Sequence, residues 1–262
     1  MSTWRRFPLG VRVLAMLGLA LFLFPLVGLV SRASPAAVSA VLDGGFVFEA
    51  ARVSIVSSVL ATAMSVVLGV PLAIVLARSD FRGRNLVRGI VTLPMVLPPV
   101  VGGAALLFAF GRRGLFGSAL EQSTGLVLPF SIWGVVIANA FVAMPFLVIT
   151  VESALRALDP RYETVAATLG ARPWKVLRRV TLPMIRPSLV GGLILTWARA
   201  LGEFGATITF AGNLAGRTRT LPLAVYVALE SDRDAAVAIS LLMVGVSLAV
   251  LVGLRDRWWG LR

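Results

Sequence analysis

Long apolar stretches alternate with short polar segments along the whole chain. Six of these stretches provide about the 20 apolar residues that a helix needs to cross the hydrocarbon core of a bilayer. The sequence therefore predicts an all-α integral membrane protein, with a bundle of six transmembrane helices forming a single domain over residues 1–262. The predicted spans are residues 11–30, 53–76, 90–110, 132–151, 189–211 and 235–254.

The first stretch follows Arg5, Arg6 and Arg12, as the apolar core of a secretory signal peptide would. It is longer than the roughly 7–15 apolar residues of such a core, and no clear cleavage site of small residues follows it. We therefore expect a retained transmembrane anchor.

The composition agrees with a membrane bundle. The chain is 58% hydrophobic and 14% charged, whereas soluble domains carry about 25% charged residues. Most of its basic residues lie at the N-terminus, after the second and fourth stretches, and at the C-terminus. The positive-inside rule then places both termini and the segment 152–188 in the cytoplasm. Because these residues flank spans instead of covering a soluble domain, no nucleic-acid partner is expected.

Several kinds of chemistry are excluded by residues that the chain lacks. Cysteine and histidine are absent, which removes disulfides, thiolate or imidazole metal ligands, and Cys or His catalysis. The only lysine, Lys175, does not follow the Gly-rich turn of a P-loop. We expect no catalytic residue, no metal site and no cofactor in this chain.

The polar segment 152–188 contains signals for two short helices. Asp159-Pro160 suits a helix start and Gly170 a helix end. A second helix is predicted from Pro173, ending before Leu182-Pro183. The first helix is amphipathic and either lies on the membrane surface or docks a cytoplasmic partner; its apolar face consists of Tyr162, Val165, Ala166 and Leu169.

The third span contains Pro94, Pro98 and Pro99. Each proline removes a backbone donor, so the helix must kink or break there. Freed backbone carbonyls are tolerated at membrane depth only against protein or a water-filled cavity. This segment should therefore face the bundle interior, either as a structural kink or as part of a translocation pathway or gate.

The fifth span alone contains ionisable residues at depth, Arg199 and Glu203. They are four residues apart on one helix face and can pair. An ionisable residue inside a membrane span marks a functional site or a structural ion pair. The candidate pathway residues of this span are Arg199, Glu203, Phe204, Gly205 and Thr207.

The loop after the fifth span is expected outside the cytoplasm. Its polar residues could bind an oxyanion through charge and hydroxyl donors, or form a solvated turn or a rim that meets another protein. These candidate rim residues are Arg217, Thr218, Arg219 and Thr220.

The segment 164–183 resembles the loop motif of binding-protein-dependent ABC importer permeases. That motif reads Glu-Ala-Ala, three residues, Gly, nine residues, an aliphatic residue, one residue and Leu-Pro. Gly170, Val180 and Leu182-Pro183 match it. Thr164-Val165-Ala166 replaces Glu-Ala-Ala, and Glu163 lies one residue early.

The resemblance implies that the first short helix is a coupling helix, which docks on a separate ATPase subunit. The residues implicated in coupling are Glu163, Thr164, Val165, Ala166, Leu169, Gly170, Leu182 and Pro183. ATP and magnesium would be used by that partner and not by this chain.

Residues 202–222 resemble the molybdate branch of these permeases, which share Gly-Glu-Phe-Gly-Ala, Gly-Asn, Gly-Arg-Thr and Thr-Leu-Pro-Leu. The implied function is import of a tetrahedral oxyanion, molybdate first, with sulfate or thiosulfate and tungstate as alternatives. The implied partners are a second permease copy, cytoplasmic ABC ATPase subunits and an extracytoplasmic oxyanion-binding protein. The implied location is the cytoplasmic membrane of a bacterium or archaeon.

Two other classes are less well supported by the sequence. A membrane-embedded hydrolase needs a Ser-His, paired-Asp or metal-His constellation, which this chain cannot assemble. An ion-coupled transporter could use Arg199 and Glu203 as a relay.

Overall fold

The computed structural model describes residues 8–253. Within this range every regular element is helical, which confirms the all-α class. Arg5, Arg6, residue 254 and the basic residues at the C-terminus, on which the anchor and orientation predictions depend, lie outside it. The helices are α1 (Leu9–Ser31), α2 (Pro35–Asp43), α3 (Gly45–Arg78), α4 (Arg84–Val96), α5 (Pro99–Phe110), α6 (Gly117–Thr124), α7 (Ile132–Ala157), α8 (Arg161–Thr168), α9 (Pro173–Val176), α10 (Leu182–Met184), α11 (Arg186–Leu201), α12 (Gly205–Phe210), α13 (Leu221–Ser231) and α14 (Arg233–Gly253).

Four helices are long and apolar enough to cross a membrane, namely α1, α3, α7 and α14. The number rises to six if each of two sharply bent helix pairs counts as one span. Four of the six predicted spans fall on these four helices. Two of the helices extend beyond the prediction, since α3 begins at Gly45 and α7 continues to Ala157.

The predicted third span is broken. Helices α4 and α5 meet at 119°, and both Leu97 and Pro98 are extended between them. Two prolines in succession explain this geometry, because neither has an N–H group and each disfavours helical backbone at the residue before it. The predicted break is confirmed, whereas Pro94 is accommodated inside α4.

The prediction of one continuous helix over residues 189–211 is wrong. Helix α11 ends at Leu201 and α12 begins at Gly205. The Glu203 side chain accepts a hydrogen bond from the Ala206 N–H, in place of the backbone carbonyl that a continuous helix would supply. A polar side chain thus stabilises a break at the centre of an apolar stretch.

Helix α7 is the most buried of the long helices and packs against α3 and α11. The apolar core at one end of this trio consists of Ala73, Leu76, Leu147, Val148, Val151, Leu155 and Ile185. Helix α1, by contrast, has no buried residue and packs mainly against α14. Its apolar surface is therefore available to lipid or to another chain.

Three short helices lie where the sequence suggested only loops, namely α2, α6 and α13. Each is too short to cross a bilayer, so the search for apolar stretches of about 20 residues could not find them. Helix α13 is joined to α3 because the Leu221 N–H donates to the Ser54 hydroxyl over 2.7 Å.

Candidate functional site

The two breaks lie side by side in the folded chain. A methyl group added to Gly205 would lie 2.7 Å from the Pro99 Cβ, and one added to Gly103 would lie 2.7 Å from the Ala206 carbonyl oxygen. Only glycine permits so close an approach. The structure thus brings together the proline segment of the third predicted span and the Gly-Glu-Phe-Gly segment of the fifth.

Arg199 and Glu203 form the ion pair that their spacing predicted. An Arg199 guanidinium nitrogen lies 2.7 Å from Glu203 Oε2, and the Ala206 N–H donates to Glu203 Oε1 over 2.8 Å. The Glu203 side chain is 1% exposed, whereas that of Arg199 is 31% exposed. The pair therefore neutralises a buried carboxylate and leaves part of the arginine open to a ligand or a neighbouring chain.

A buried amide holds α12 in place. Asn139 of α7 donates to the Ser57 hydroxyl of α3 over 3.2 Å and accepts from the Thr207 hydroxyl of α12 over 3.3 Å. All three side chains are buried. The sequence reading missed this link, although Asn139 is the only amide in its predicted span and a polar residue at that depth calls for a partner.

The other candidate pathway residues differ in exposure. Pro98 and Pro99 are exposed, Phe204 is half-buried, and Gly205 and Thr207 are buried within the chain. The Phe204 ring lies 5.3 Å from that of Tyr226, centroid to centroid. In a single chain the surface at the breaks is therefore formed by the prolines, Phe204 and Arg199, while Glu203, Gly205 and Thr207 support it from behind.

The helix predicted to start at Asp159-Pro160 is α8. Its start is fixed by the Asp159 carboxylate, which accepts from the Arg161 N–H over 2.9 Å. Its end is fixed by Gly170, whose φ of +82° lies in the left-handed region that favours glycine. Both local signals were read correctly from sequence.

The predicted apolar face of α8 lies mostly on the surface. Tyr162 is 55% exposed, Val165 57% and Leu169 83%, while Ala166 is half-buried. Thr164 is also exposed. Within residues 8–253 this face has no partner that buries it, so it is available for docking.

The second short helix does not end where the sequence predicted. It continues from α9 through a π-helical segment, Leu177–Thr181, into α10, which includes Leu182 and Pro183. The Leu182 N–H donates to the Leu177 carbonyl, five residues back. This wider turn keeps the chain helical up to Pro183, whose missing N–H needs no partner near the start of α10.

Two further polar clusters lie near α8. Glu163 of α8 accepts from Arg78 of α3 over 3.2 Å and from the Thr181 hydroxyl over 2.7 Å. The buried Glu152 of α7 accepts from the Nε atoms of Arg88 and Arg156, each over 3.0 Å. The second cluster joins α4 to α7, and the sequence reading did not identify it.

The candidate rim residues lie near the other end of α3. Thr218 is buried and accepts from the Leu214 N–H over 2.9 Å, and Thr220 is buried as well. Arg219 donates to Asn213 over 2.9 Å. The two threonine hydroxyls are therefore not offered to solvent, and only Arg217 of the four is exposed, where it lines a cleft of about 450 Å³ together with Arg52.

Metal-binding groups are not found in the part of the chain that the structure describes, since it contains no cluster of three or more Asp, Glu, His or Cys residues. The chemistry of the site thus comes from one buried ion pair, an amide, hydroxyls and arginines.

The sequence matches a known family model. The model, described as "Binding-protein-dependent transport system inner membrane component", matches residues 69–258. The molybdenum transport system permease protein ModB of Mycobacterium tuberculosis is 47% identical over 250 residues, which cover 95% of this chain and 94% of that protein. The sulfate transport system permease protein CysW of Synechococcus elongatus is 35% identical, covering 91% of this chain and 87% of that protein.

A solved structure shows the same fold. A bacterial ABC transporter involved in the import of the acidic polysaccharide alginate contains a chain that matches with a TM-score of 0.74. The match covers 96% of this chain and 94% of that chain, at 18% sequence identity.

Proposed function

Since the chain belongs to the family of binding-protein-dependent transport system inner membrane components, we propose that it is the membrane permease of an ATP-driven importer of a tetrahedral oxyanion, and that this oxyanion is molybdate. The identity of 47% to a molybdenum permease, against 35% to a sulfate permease, supports this choice. Import of sulfate is the alternative that the second relative favours.

The observation that carries the proposal is the surface of α8. This helix is held to the bundle through Glu163, yet it exposes Tyr162, Val165 and Leu169. An exposed apolar helix face typically fits a hydrophobic groove on another protein. In the proposed function that protein is a cytoplasmic ATPase subunit, which binds ATP and magnesium and pushes on α8.

The oxyanion would pass beside the paired breaks of α4–α5 and α11–α12. Helix breaks at membrane depth occur where the backbone is buried in protein or lines a water-filled cavity. Pro98 and Pro99 are exposed in the single chain, so a second permease copy facing them would enclose a passage. We infer a homodimer with both termini in the cytoplasm, and an oxyanion-binding protein that docks on the opposite face, beside Arg217.

Docking of the ATPase is tested by co-purification from detergent. Leu169→Asp places a charge on the proposed docking face, and Leu115→Asp places one on an equally exposed leucine, since both are 83% exposed. Leu115 lies in the loop after α5, away from α8. We expect Leu169→Asp to release the ATPase and Leu115→Asp to retain it; release by both variants, or by neither, would contradict the proposal.

The substrate is tested by uptake into proteoliposomes that contain the whole complex and an excess of binding protein. We expect ATP-dependent uptake of molybdate that an excess of sulfate does not suppress. Preferential uptake of sulfate would support the alternative. Uptake by the permease alone, driven by a proton gradient, would instead indicate an ion-coupled transporter.

A further inference from the structure

We propose that Glu163 is a positioning residue that tethers α8 to the bundle and carries movements of α8 to α3 and α11. The inference rests on the proposed function, in which an ATPase pushes on α8. It assigns to Glu163 an internal contact in place of one with the partner subunit.

The geometry of Glu163 joins three elements at one carboxylate oxygen. Glu163 Oε1 accepts from an Arg78 guanidinium nitrogen over 3.2 Å and from the Thr181 hydroxyl over 2.7 Å. Arg78 is the last residue of α3, and Thr181 is the last residue of the π segment. Thr181 is 3% exposed, so its hydroxyl is held in a fixed position inside the protein.

Helix α8 is otherwise held loosely. Between it and the ends of α3 and α7 lies a cleft of about 670 Å³, and the side chains on its walls are mainly apolar, among them Ile74, Leu155 and Ala167. Within residues 8–253, Glu163 is the only α8 residue whose side chain makes a hydrogen bond or ion pair beyond its own helix and Pro160. One polar link therefore spans a gap that packing does not fill.

The register of the acidic residue explains why it faces inward. Successive residues of an α-helix are rotated by about 100°, so Glu163 and Thr164 face different sides of α8. Thr164, where the family motif has its Glu, is exposed, whereas Glu163 lies against the bundle. The shift of one residue thus converts an outward carboxylate into an inward one.

The positions of the partners favour a mechanical role. Glu163 lies in the first turn of α8 and Arg78 in the last turn of α3, where the charges of both residues suit the helix dipoles. From Thr181 the chain continues through α10 and bends by 74° into α11, which carries Arg199. A displacement of α8 that pulls on Thr181 is therefore passed to the helix that ends at the break.

Two variants isolate this tether. Glu163→Gln keeps an acceptor for Thr181 but removes the ion pair, and Thr181→Val removes the hydroxyl with little change in volume. The matched control is Glu121→Gln, which breaks an exposed ion pair with Arg112, 3.3 Å long, far from α8. If Glu163→Gln fails to fold, Thr181→Val makes the same test.

The first readout needs only the permease. Because the chain has no cysteine, spin labels can be attached after Ser79→Cys and Thr168→Cys, and their separation reports the position of α8 relative to α3. We expect Glu163→Gln and Thr181→Val to broaden the distribution of distances and Glu121→Gln to leave it unchanged. An unchanged distribution in both tether variants would overturn the inference, whatever the chain transports.

The second readout uses the whole complex in proteoliposomes and compares oxyanion uptake with ATP hydrolysis in the same vesicles. We expect Glu163→Gln to reduce uptake per ATP by about three- to tenfold, with the ATPase still bound. Loss of ATPase binding in this variant would show that Glu163 is a docking contact and would overturn the inference. Failure of the unmodified permease to bind any ATPase would instead refute the proposed function.

Discussion

The guanidinium of Arg199 lies 2.7 Å from the carboxylate of Glu203, across the point where α11 ends and before α12 begins. The acid is buried, and it also accepts the N–H of Ala206. The ion pair therefore closes a gap in the backbone hydrogen bonding of the predicted fifth span. It has a structural role whether or not a solute passes beside it.

Removal of either partner should be strongly non-additive with removal of the other. Arg199→Leu leaves a buried carboxylate without its cation, whereas Glu203→Gln keeps an acceptor for the Ala206 N–H and removes the charge. We expect the double variant to be less damaged than the sum of the single ones by about 0.5–3 kcal/mol, at the lower end because Arg199 is partly exposed. Thermal unfolding in detergent measures the three values, and strict additivity would show that the pair does not interact.

The contact between α5 and α12 should not tolerate a β-carbon. In Gly103→Ala the new methyl group would meet the Ala206 carbonyl oxygen and the Thr209 Cβ, each at 2.7 Å. We expect a loss of about 1–3 kcal/mol in the free energy of unfolding. Gly191→Ala is the matched control, because that helical glycine has no atom within 4 Å of the new group. Equal unfolding temperatures for the two variants would contradict the close packing.

The buried amide should matter more than an exposed one. Asn139→Ala leaves the Ser57 and Thr207 hydroxyls without their partner, which costs about 1–3 kcal/mol. Asn85→Ala removes an amide that accepts only from Arg88 at the surface, and we expect a change within about 0.5 kcal/mol. Thermal unfolding of both variants makes the comparison, and a larger loss for Asn85→Ala would refute the network.

The end of α8 should depend on Gly170. Proline holds φ near −65° and has no N–H, whereas Gly170 has a φ of +82° and donates to the Ala167 carbonyl over 3.0 Å. We expect Gly170→Pro to insert in the membrane normally but to uncouple ATP hydrolysis from uptake. Gly89→Ala, at an open helical position, is the control. Normal uptake by Gly170→Pro would show that the end of α8 is unimportant for coupling.

Local chemistry explains which features could be predicted from the sequence. The bounds of α8 depend on Asp159 and Gly170, each of which acts within a few residues. The pairing of Arg199 with Glu203 depends only on helical spacing, and the break of the third span only on its prolines. Such interactions are visible in a sequence because both partners are close together along the chain.

The features that were missed depend on distant partners. Asn139 and Ser57 are 82 residues apart, and Arg88 and Glu152 are 64 apart. Burial of Thr218 and Thr220 likewise follows from how the loop folds back on the bundle. The break before α12 was missed because the stretch is apolar on both sides and glycine suits a close helix contact as well as a helix end.

The π-helical turn at Leu177–Thr181 makes the length of this part of the chain critical. Deletion of a single residue there would restore ordinary α-helical winding and turn all that follows by about 100° relative to what precedes it. Thr181 would then face away from Glu163. Insertions and deletions that surface loops usually absorb should therefore be rejected between residues 173 and 184, and related chains should differ here by substitution alone.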